Sequence, residues 1–370
     1  MSFRPGLEGV IAVQTNLSSI DGENGRLIFR GYHADELARK HAFEEVVHLL
    51  WYGYLPGKNE LEKLKKQLHE ARKLPADIVR IIDELPEDME MMAVLRTCIS
   101  ALKAKPEWPP TLEEAVHITA VIPTILAYRY RSLHHLEFVP PNHQLDHVAN
   151  YLYMLTGQKP KDAHVRVMNA YFVLTAEHGM NAATFTSRVI ASTESDLFSA
   201  VTGAIGAMKG PLHGGAPTGV ISMLNEIETA EDTEDWLRKK LNNKEKLMGF
   251  GHRVYKTNDP RTEALRDVTE SLSADDDWFL LARHVEDTAI RLLEEYKPGR
   301  RLYTNVEFYA AAVFKAVDLP EMLYTPTFTA SRAAGWCAHV LEQAENNRIF
   351  RPLSEYIGPG SMIKENTQRG

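Results

Sequence analysis

Phe43-Glu44-Glu45-Val46-Val47-His48-Leu49-Leu50-Trp51-Tyr52-Gly53 decides the class of fold. Its apolar residues Phe43, Val46, Val47, Leu50 and Trp51 fall at i, i+3, i+4, i+7 and i+8, the repeat of a helix with one buried face, and Gly53 supplies a C-terminal stop. The same spacing returns in Leu61, Leu64 and Leu68, with Lys63, Lys65 and Lys66 turned outward, and in Val285, Ala289, Leu292, Leu293 and Tyr296. Thr111 and Glu114 are spaced as a capping box opening a long helix that Pro123 should kink. Further helices are expected near 145–156, 161–177, 182–192 and 195–208. Strand signals are sparse: Val10–Thr15 and Arg26–Phe29, around the turn Asp21-Gly22-Glu23-Asn24-Gly25, predict a minor N-terminal β-hairpin. No internal period of 20–50 residues points to a solenoid. The chain reads as mainly α.

Composition narrows the function. The 370 residues carry 42 Lys+Arg against 50 Asp+Glu, a net charge of −8, with 44% hydrophobic and 25% charged residues. That is an ordinary globular balance, long enough for two domains or one large one. A net negative chain is poorly suited to nucleic acid, where phosphate neutralisation supplies most of the affinity. The most apolar stretch, Ala115 to Tyr128, is interrupted by His117, Thr119, Pro123 and Thr124 and is too short and polar to span a bilayer. Two cysteines, Cys98 and Cys337, make no disulfide framework, and no signal peptide is visible before Gln14, so a cytoplasmic location is expected. Two Gly/Pro clusters, Gly210–Pro217 and Leu319–Pro326, read as hinges. They divide the chain into a large helical domain, 1–212 plus 319–370, and a small one, 213–318.

Four groups of residues carry chemistry. His213, in Gly210-Pro211-Leu212-His213-Gly214-Gly215-Ala216-Pro217, precedes a helix whose positive end favours neutral imidazole, a donor suited to a developing enolate oxygen. The alternative is a histidine bonded to backbone in a tight turn. Gly249-Phe250-Gly251-His252-Arg253-Val254-Tyr255-Lys256 is followed by Asp259-Pro260-Arg261, a strong helix start with Asp259 as cap. Arg253, Lys256, Arg261 and Arg266 outnumber Asp259 and Glu263, giving a positive patch for a multi-anionic ligand, or else an ordinary solvated turn. In Tyr303-Thr304-Asn305-Val306-Glu307, Glu307 is either the capping-box partner of Thr304 or a general base that the helix dipole keeps ionised. The dispersed fourth group is Glu177-His178-Gly179-Met180-Asn181, Arg332 and Arg351. An alanine stripe (330, 334, 338) can bury part of Arg332, whose charge then needs an anion from protein or ligand. Surface ion pairing is the alternative for both arginines.

Other signals are weak. His134, His135, His143 and His147 lack the HExxH order and nearby cysteine of a zinc site, so no metal is expected. Cys337, beside Trp336, reads as core packing. Neither a Walker nor a GxGxxG fingerprint is present, so no nucleotide cofactor is suggested.

Taken together and in this order, the segments from Ile20-Asp21-Gly22 and Tyr32 to Phe350-Arg351-Pro352 resemble the citrate synthase family over essentially the whole chain. The resemblance implies an almost wholly helical homodimer that closes a small domain over a large one. It implies condensation of acetyl-CoA with oxaloacetate and hydrolysis of citryl-CoA, with acetyl-CoA a substrate and no cofactor. By matching position, His213 would stabilise the enolate, His252 would polarise the oxaloacetate carbonyl, and Glu307 would take the acetyl α-proton. His178, Arg261, Arg332 and Arg351 match oxaloacetate positions, Arg351 reaching into the partner's site, while Arg253 and Lys256 lie on the CoA loop. The family usually has Asp where this chain has Glu307. The alternatives are 2-methylcitrate synthase, which takes propionyl-CoA through the same machinery, and a helical binding protein whose site has decayed.

Overall fold

The computed structural model describes residues 3–103, 108–214, 216–227, 229–252, 255, 257–273 and 277–359. Among them are sixteen α-helices. The first ten are α1 (Ala34–Lys40), α2 (Phe43–Tyr52), α3 (Lys58–Ala71), α4 (Ala76–Glu84), α5 (Met91–Ala101), α6 (Leu112–Leu133), α7 (His147–Thr156), α8 (Asp162–Thr175), α9 (Ala182–Ala191) and α10 (Leu197–Met208). Then come α11 (Ala216–Ile227), α12 (Thr233–Asn242), α13 (Pro260–Ser273), α14 (Asp277–Tyr296), α15 (Val306–Ala316) and α16 (Tyr324–Glu345). The mainly α reading holds. The four helices expected between 145 and 208 end within two residues of their expected limits. Gly53 terminates α2 at φ 90°, and the Thr111–Glu114 capping box forms, Glu114 N donating to Thr111 Oγ1 at 3.3 Å and Thr111 N to Glu114 Oε2 at 2.8 Å. One helix, α6, runs through Pro123.

The hairpin forms with a different first strand. β1 is Ser18–Asp21, not Val10–Thr15; it pairs antiparallel with β2 (Arg26–Phe29), to which β3 (Tyr32–His33) adds a third strand. The turn fixes this register: Asn24 N donates to Asp21 Oδ1 at 3.0 Å, so the chain reverses directly after Asp21, and only the residues just before it can face β2. Ile11, 89% exposed, stays outside the sheet.

Helix α16 runs through the middle of the molecule, packed against α2, α6, α8, α9 and α10 and buried on nearly every side. A helix enclosed all round must be apolar or small on every face, which its Ala330, Ala333, Ala334 and Gly335 run satisfies. Gly335 is required by close approach: a Cβ there would lie 2.1 Å from the Ala176 carbonyl oxygen. α16 thereby lies directly against the turn that leads to His178. Cys337 is fully buried, as expected of a core residue. His147 is buried too, its ring 5.3 Å from that of Phe43.

Between the expected hinges, α13 packs against α1 and α8, and α15 against α8, so Ala264, Leu265, Val306 and Phe308 belong to the main core. Leu237, Leu241, Leu247, Ala289, Leu292 and Leu293 form a separate apolar cluster between α12 and α14. No helix among the described residues is long and apolar enough to cross a membrane.

Candidate active site

Three chain turns and two helix starts converge on one cleft. The turn after α8 supplies His178, the turn after α10 supplies His213, and the loop before α13 supplies His252 and Tyr255. The starts of α13 and α15 supply Arg261 and Glu307, and Arg332 reaches in from α16.

Local sequence explains each position. Asp259 accepts the Arg261 amide at 3.0 Å, so Asp-Pro opens α13 as its sequence requires. The same carboxylate takes both Nε (3.0 Å) and Nη2 (2.8 Å) of Arg261, a two-pronged pair with both side chains almost fully buried. This pairing adds to the cap foreseen for Asp259. The loop 249–251 pairs with 303–305: Gly251 N donates to the Tyr303 carbonyl at 2.7 Å and Asn305 N to the Gly249 carbonyl at 2.9 Å. That pairing fixes His252 relative to Glu307.

The capping box expected between Thr304 and Glu307 does not form. Asn305 is the cap, its Oδ1 accepting the Glu307 amide at 3.1 Å. Thr304 instead donates to the buried Glu286 carboxylate at 2.6 Å, since a bond to a charged acceptor is stronger than a neutral cap. The Glu307 carboxyl is therefore left facing the cleft, with no hydrogen bond to it among the described residues.

The titrating groups shift together. Burial raises the Glu307 carboxyl to about 7, against the opposing pull of Arg261 and, more weakly, of Arg332. The expectation that the helix dipole would hold it at an ordinary carboxylate value is thus corrected. Burial, then Arg261, Arg332 and His252, holds His178 well below the imidazole range. Burial and Arg332 do the same, less strongly, to His213. Arg332, 1% exposed, is brought down to about 10 by burial. Its Nε donates to the Thr175 carbonyl at 2.5 Å and its guanidinium lies 4.7 Å from the Phe328 ring centre. It has no ion pair within 4 Å among the described residues, and the carboxylate that acts on it most is the buried Glu177. Arg332 acts on Glu307, His178 and His213 alike, which places all four around one space.

Other contacts set the rings. His178 Nε2 lies 3.1 Å from the Tyr255 hydroxyl, and the Tyr255 ring sits 4.8 Å from that of His252. Tyr255 N donates to His252 Nδ1 at 3.2 Å, and Arg261 Nη2, itself only a donor, lies 3.4 Å from Nε2. Asn181 Oδ1 accepts the Thr184 amide at 3.0 Å, which makes it an acceptor for His213 Nε2 at 3.2 Å. Glu177, fully buried, accepts from Ser18 Oγ at 2.8 Å and the Gly179 amide at 2.6 Å and lies 3.0 Å from His339 Nε2.

The cleft thus gathers His178, His213, His252, Arg261, Glu307 and Arg332. Arg351 stands apart, exposed on the segment after α16. Arg253 and Lys256 lie outside the described residues. Arg266 does not join a positive patch, because it pairs with Glu286. Tyr255, Asn181 and His339 were not singled out from sequence. The first two lie inside the histidine-bearing segments, and only their side-chain contacts distinguish them. Among the described residues no three His, Cys, Asp or Glu side chains come together as a metal would need.

Residues 6–353 match the family model described as citrate synthase, C-terminal domain. The chain is 41% identical over 372 residues to a citrate/2-methylcitrate synthase of Bacillus subtilis strain 168, covering 98% of both chains. It resembles the crystal structure of citrate synthase from Thermotoga maritima MSB8 (TM-score 0.88, 38% identity, 100% and 99% of the two chains). It is also similar to the Thermoplasma acidophilum citrate synthase solved as a ternary complex with carboxymethyl coenzyme A and oxaloacetate, with TM-score 0.90 and 30% identity over 98% of each chain. Fold, cleft and likeness agree: this chain belongs to the citrate synthase family.

Proposed function

We propose that this chain condenses acetyl-CoA with oxaloacetate and hydrolyses the citryl-CoA formed to citrate and CoA. The observation that carries this reading is the Glu307 carboxyl, unbonded among the described residues and raised to about 7, set in the field of Arg332 with a His213 held toward its neutral form. A thioester α-proton is weakly acidic, so a carboxylate removes it only where the developing oxyanion is stabilised at once.

Glu307 takes the α-proton, and the electron pair of that C–H bond moves onto the thioester oxygen, to which His213 donates by turning its Nε2–H away from Asn181. The enolate carbon then attacks the oxaloacetate carbonyl carbon, and the pair displaced onto its oxygen is met by the His252 imidazole. Water finally cleaves the citryl thioester. His178, Arg261 and Arg332 hold the two carboxylates of oxaloacetate, a duty suited to planar guanidinium groups. Arg253 and Lys256 hold CoA. The two domains are 1–212 plus 319–370 and 213–318, the second closing over the first to exclude water from the enolate.

The working unit is a cytoplasmic homodimer. Arg351 is exposed on a tail whose Leu353, Tyr356 and Ile357 are 85%, 77% and 92% exposed, apolar surface that a second copy would cover. Arg351 would then complete the partner's site.

One assay tests the reading: oxaloacetate plus acetyl- or propionyl-CoA, following free thiol. Oxaloacetate-dependent release from acetyl-CoA is expected. A higher kcat/KM for propionyl-CoA would make the chain a 2-methylcitrate synthase, a difference of one methylene worth about 1–3 kcal/mol. No release from either would leave a binding protein with a decayed site.

A further inference from the structure

The segment that displays Glu307 is tied down from behind by one buried carboxylate. Glu286, on the inner face of α14, accepts three hydrogen bonds of 2.6 Å: from Thr304 Oγ1 and Arg266 Nη2 on Oε1, and from the Tyr309 hydroxyl on Oε2. Arg266 closes the ring, its Nε donating to the Tyr309 oxygen at 2.8 Å. The Glu286 side chain is only 4% exposed, so these bonds are shielded from competing water. Burial, and Glu286 beside it, raise the Tyr309 phenol, which keeps it a donor.

Thr304 and Tyr309 flank Glu307. Thr304 precedes the capping Asn305; Tyr309 lies two residues beyond Glu307, roughly 200° around the helix. Holding Tyr309 on the back of α15 therefore sets the rotation that presents Glu307 to the cleft, and holding Thr304 sets its height. We propose that Glu286 is a positioning residue for proton abstraction, acting on Glu307 through Thr304 and Tyr309. Glu307 is one methylene longer than aspartate and its carboxyl makes no hydrogen bond among the described residues, so its aim depends on its backbone.

This rests on Glu307 being the base. The test compares Glu286→Gln with the parent enzyme, using acetyl-CoA and its methyl-deuterated form with oxaloacetate. Gln keeps one acceptor oxygen and the volume but cannot serve all three donors. A roughly tenfold loss of kcat is expected, short of the ~100-fold that about 1 Å of misplacement can cost. The KM for oxaloacetate should hold, and the deuterium effect on kcat should grow as proton removal becomes slower. Thr304→Val and Tyr309→Phe each remove one tether and should give smaller changes of the same kind, which keeps the test open if Glu286→Gln does not fold. Lower stability with unchanged kcat and isotope effect would make the cluster purely structural and overturn the proposal. An inactive parent enzyme would instead remove the activity on which it rests.

Discussion

Asn305 and Glu307 divide one helix end between them: the Asn305 side chain accepts the Glu307 amide at 3.1 Å, leaving the Glu307 carboxyl for the cleft. A helix N-terminus stabilises a nearby carboxylate by about 0.3–1 kcal/mol, less than the ~1.4 kcal/mol of a single pKa unit. Desolvation therefore wins, and the group titrates near 7. The base must be ionised to work, so kcat/KM should fall on the acid side with an apparent pKa close to 7. Glu307→Gln should abolish thiol release. Glu307→Asp, shortened by one bond on a backbone built for Glu, should keep the acid limb and lose about 10–100-fold in kcat. An acid limb near 4.5, or near-normal turnover of the Gln variant, would remove Glu307 from this role.

The same shift predicts a stability effect of opposite sense. Folded Glu307 binds its proton up to about pH 7, whereas the unfolded chain releases it near 4.5, so between those values the native state holds more protons and stability falls as pH rises. Glu307→Gln is free of this penalty. Its advantage in urea denaturation should be near zero at pH 4.5, grow through pH 7 and then level off at about 1–3 kcal/mol. The depressed imidazoles of His178 and His213 work the other way: their neutral forms support the fold above the ordinary value of 6.5, and that support is lost as pH falls below it. Both proteins contain them, so they cancel in the difference. A gap that is flat with pH would contradict the raised Glu307.

Arg332 should separate binding from stability. It is buried with no carboxylate within ion-pair distance among the described residues, only the longer-range pull of Glu177, and burial brings it down to about 10. A buried cation of that kind costs the fold more than an apolar side chain of similar size. Arg332→Met should therefore be at least as stable as the parent in chemical denaturation. It should raise the KM for oxaloacetate about 10–100-fold, the loss of one charge-assisted bond worth about 1.5–3 kcal/mol. An unchanged KM together with a large loss of stability would make Arg332 a structural residue.

What could be read from the sequence was local. Helix periods, the Thr111–Glu114 box and the Asp259-Pro260 start depend on neighbours along the chain, and each appears as expected. The first strand was misplaced because β propensity in Val10–Thr15 competed with a turn whose register only the Asp21–Asn24 bond reveals. Thr304 and Glu307 have capping-box spacing, but Glu286, eighteen residues away from Thr304, takes the hydroxyl. The Glu307 pKa likewise depends on how closely α8 and α13 pack on α15, which no spacing in one segment encodes. Arg266 looked like part of a ligand patch for the same reason: its buried partner is distant in sequence.

The Asp259–Arg261 pair gives the sharpest test of how the cleft is built. Both side chains are almost wholly buried, and Asp259 also accepts the Arg261 amide that opens α13. Asp259→Asn keeps the volume and the capping oxygen but removes the charge, leaving the Arg261 guanidinium without its carboxylate. Removing one partner of a buried pair typically costs about 3–5 kcal/mol. Arg261 would then be drawn toward the remaining anion in reach, Glu307, on which it already acts. That shift would lower the Glu307 pKa and move the acid limb of kcat/KM below pH 7, while the weaker base lowers kcat. A destabilised enzyme whose acid limb stays at 7 would mean that Asp259 only anchors the helix; a limb that moves down would show that Asp259, by occupying Arg261, keeps Glu307 basic.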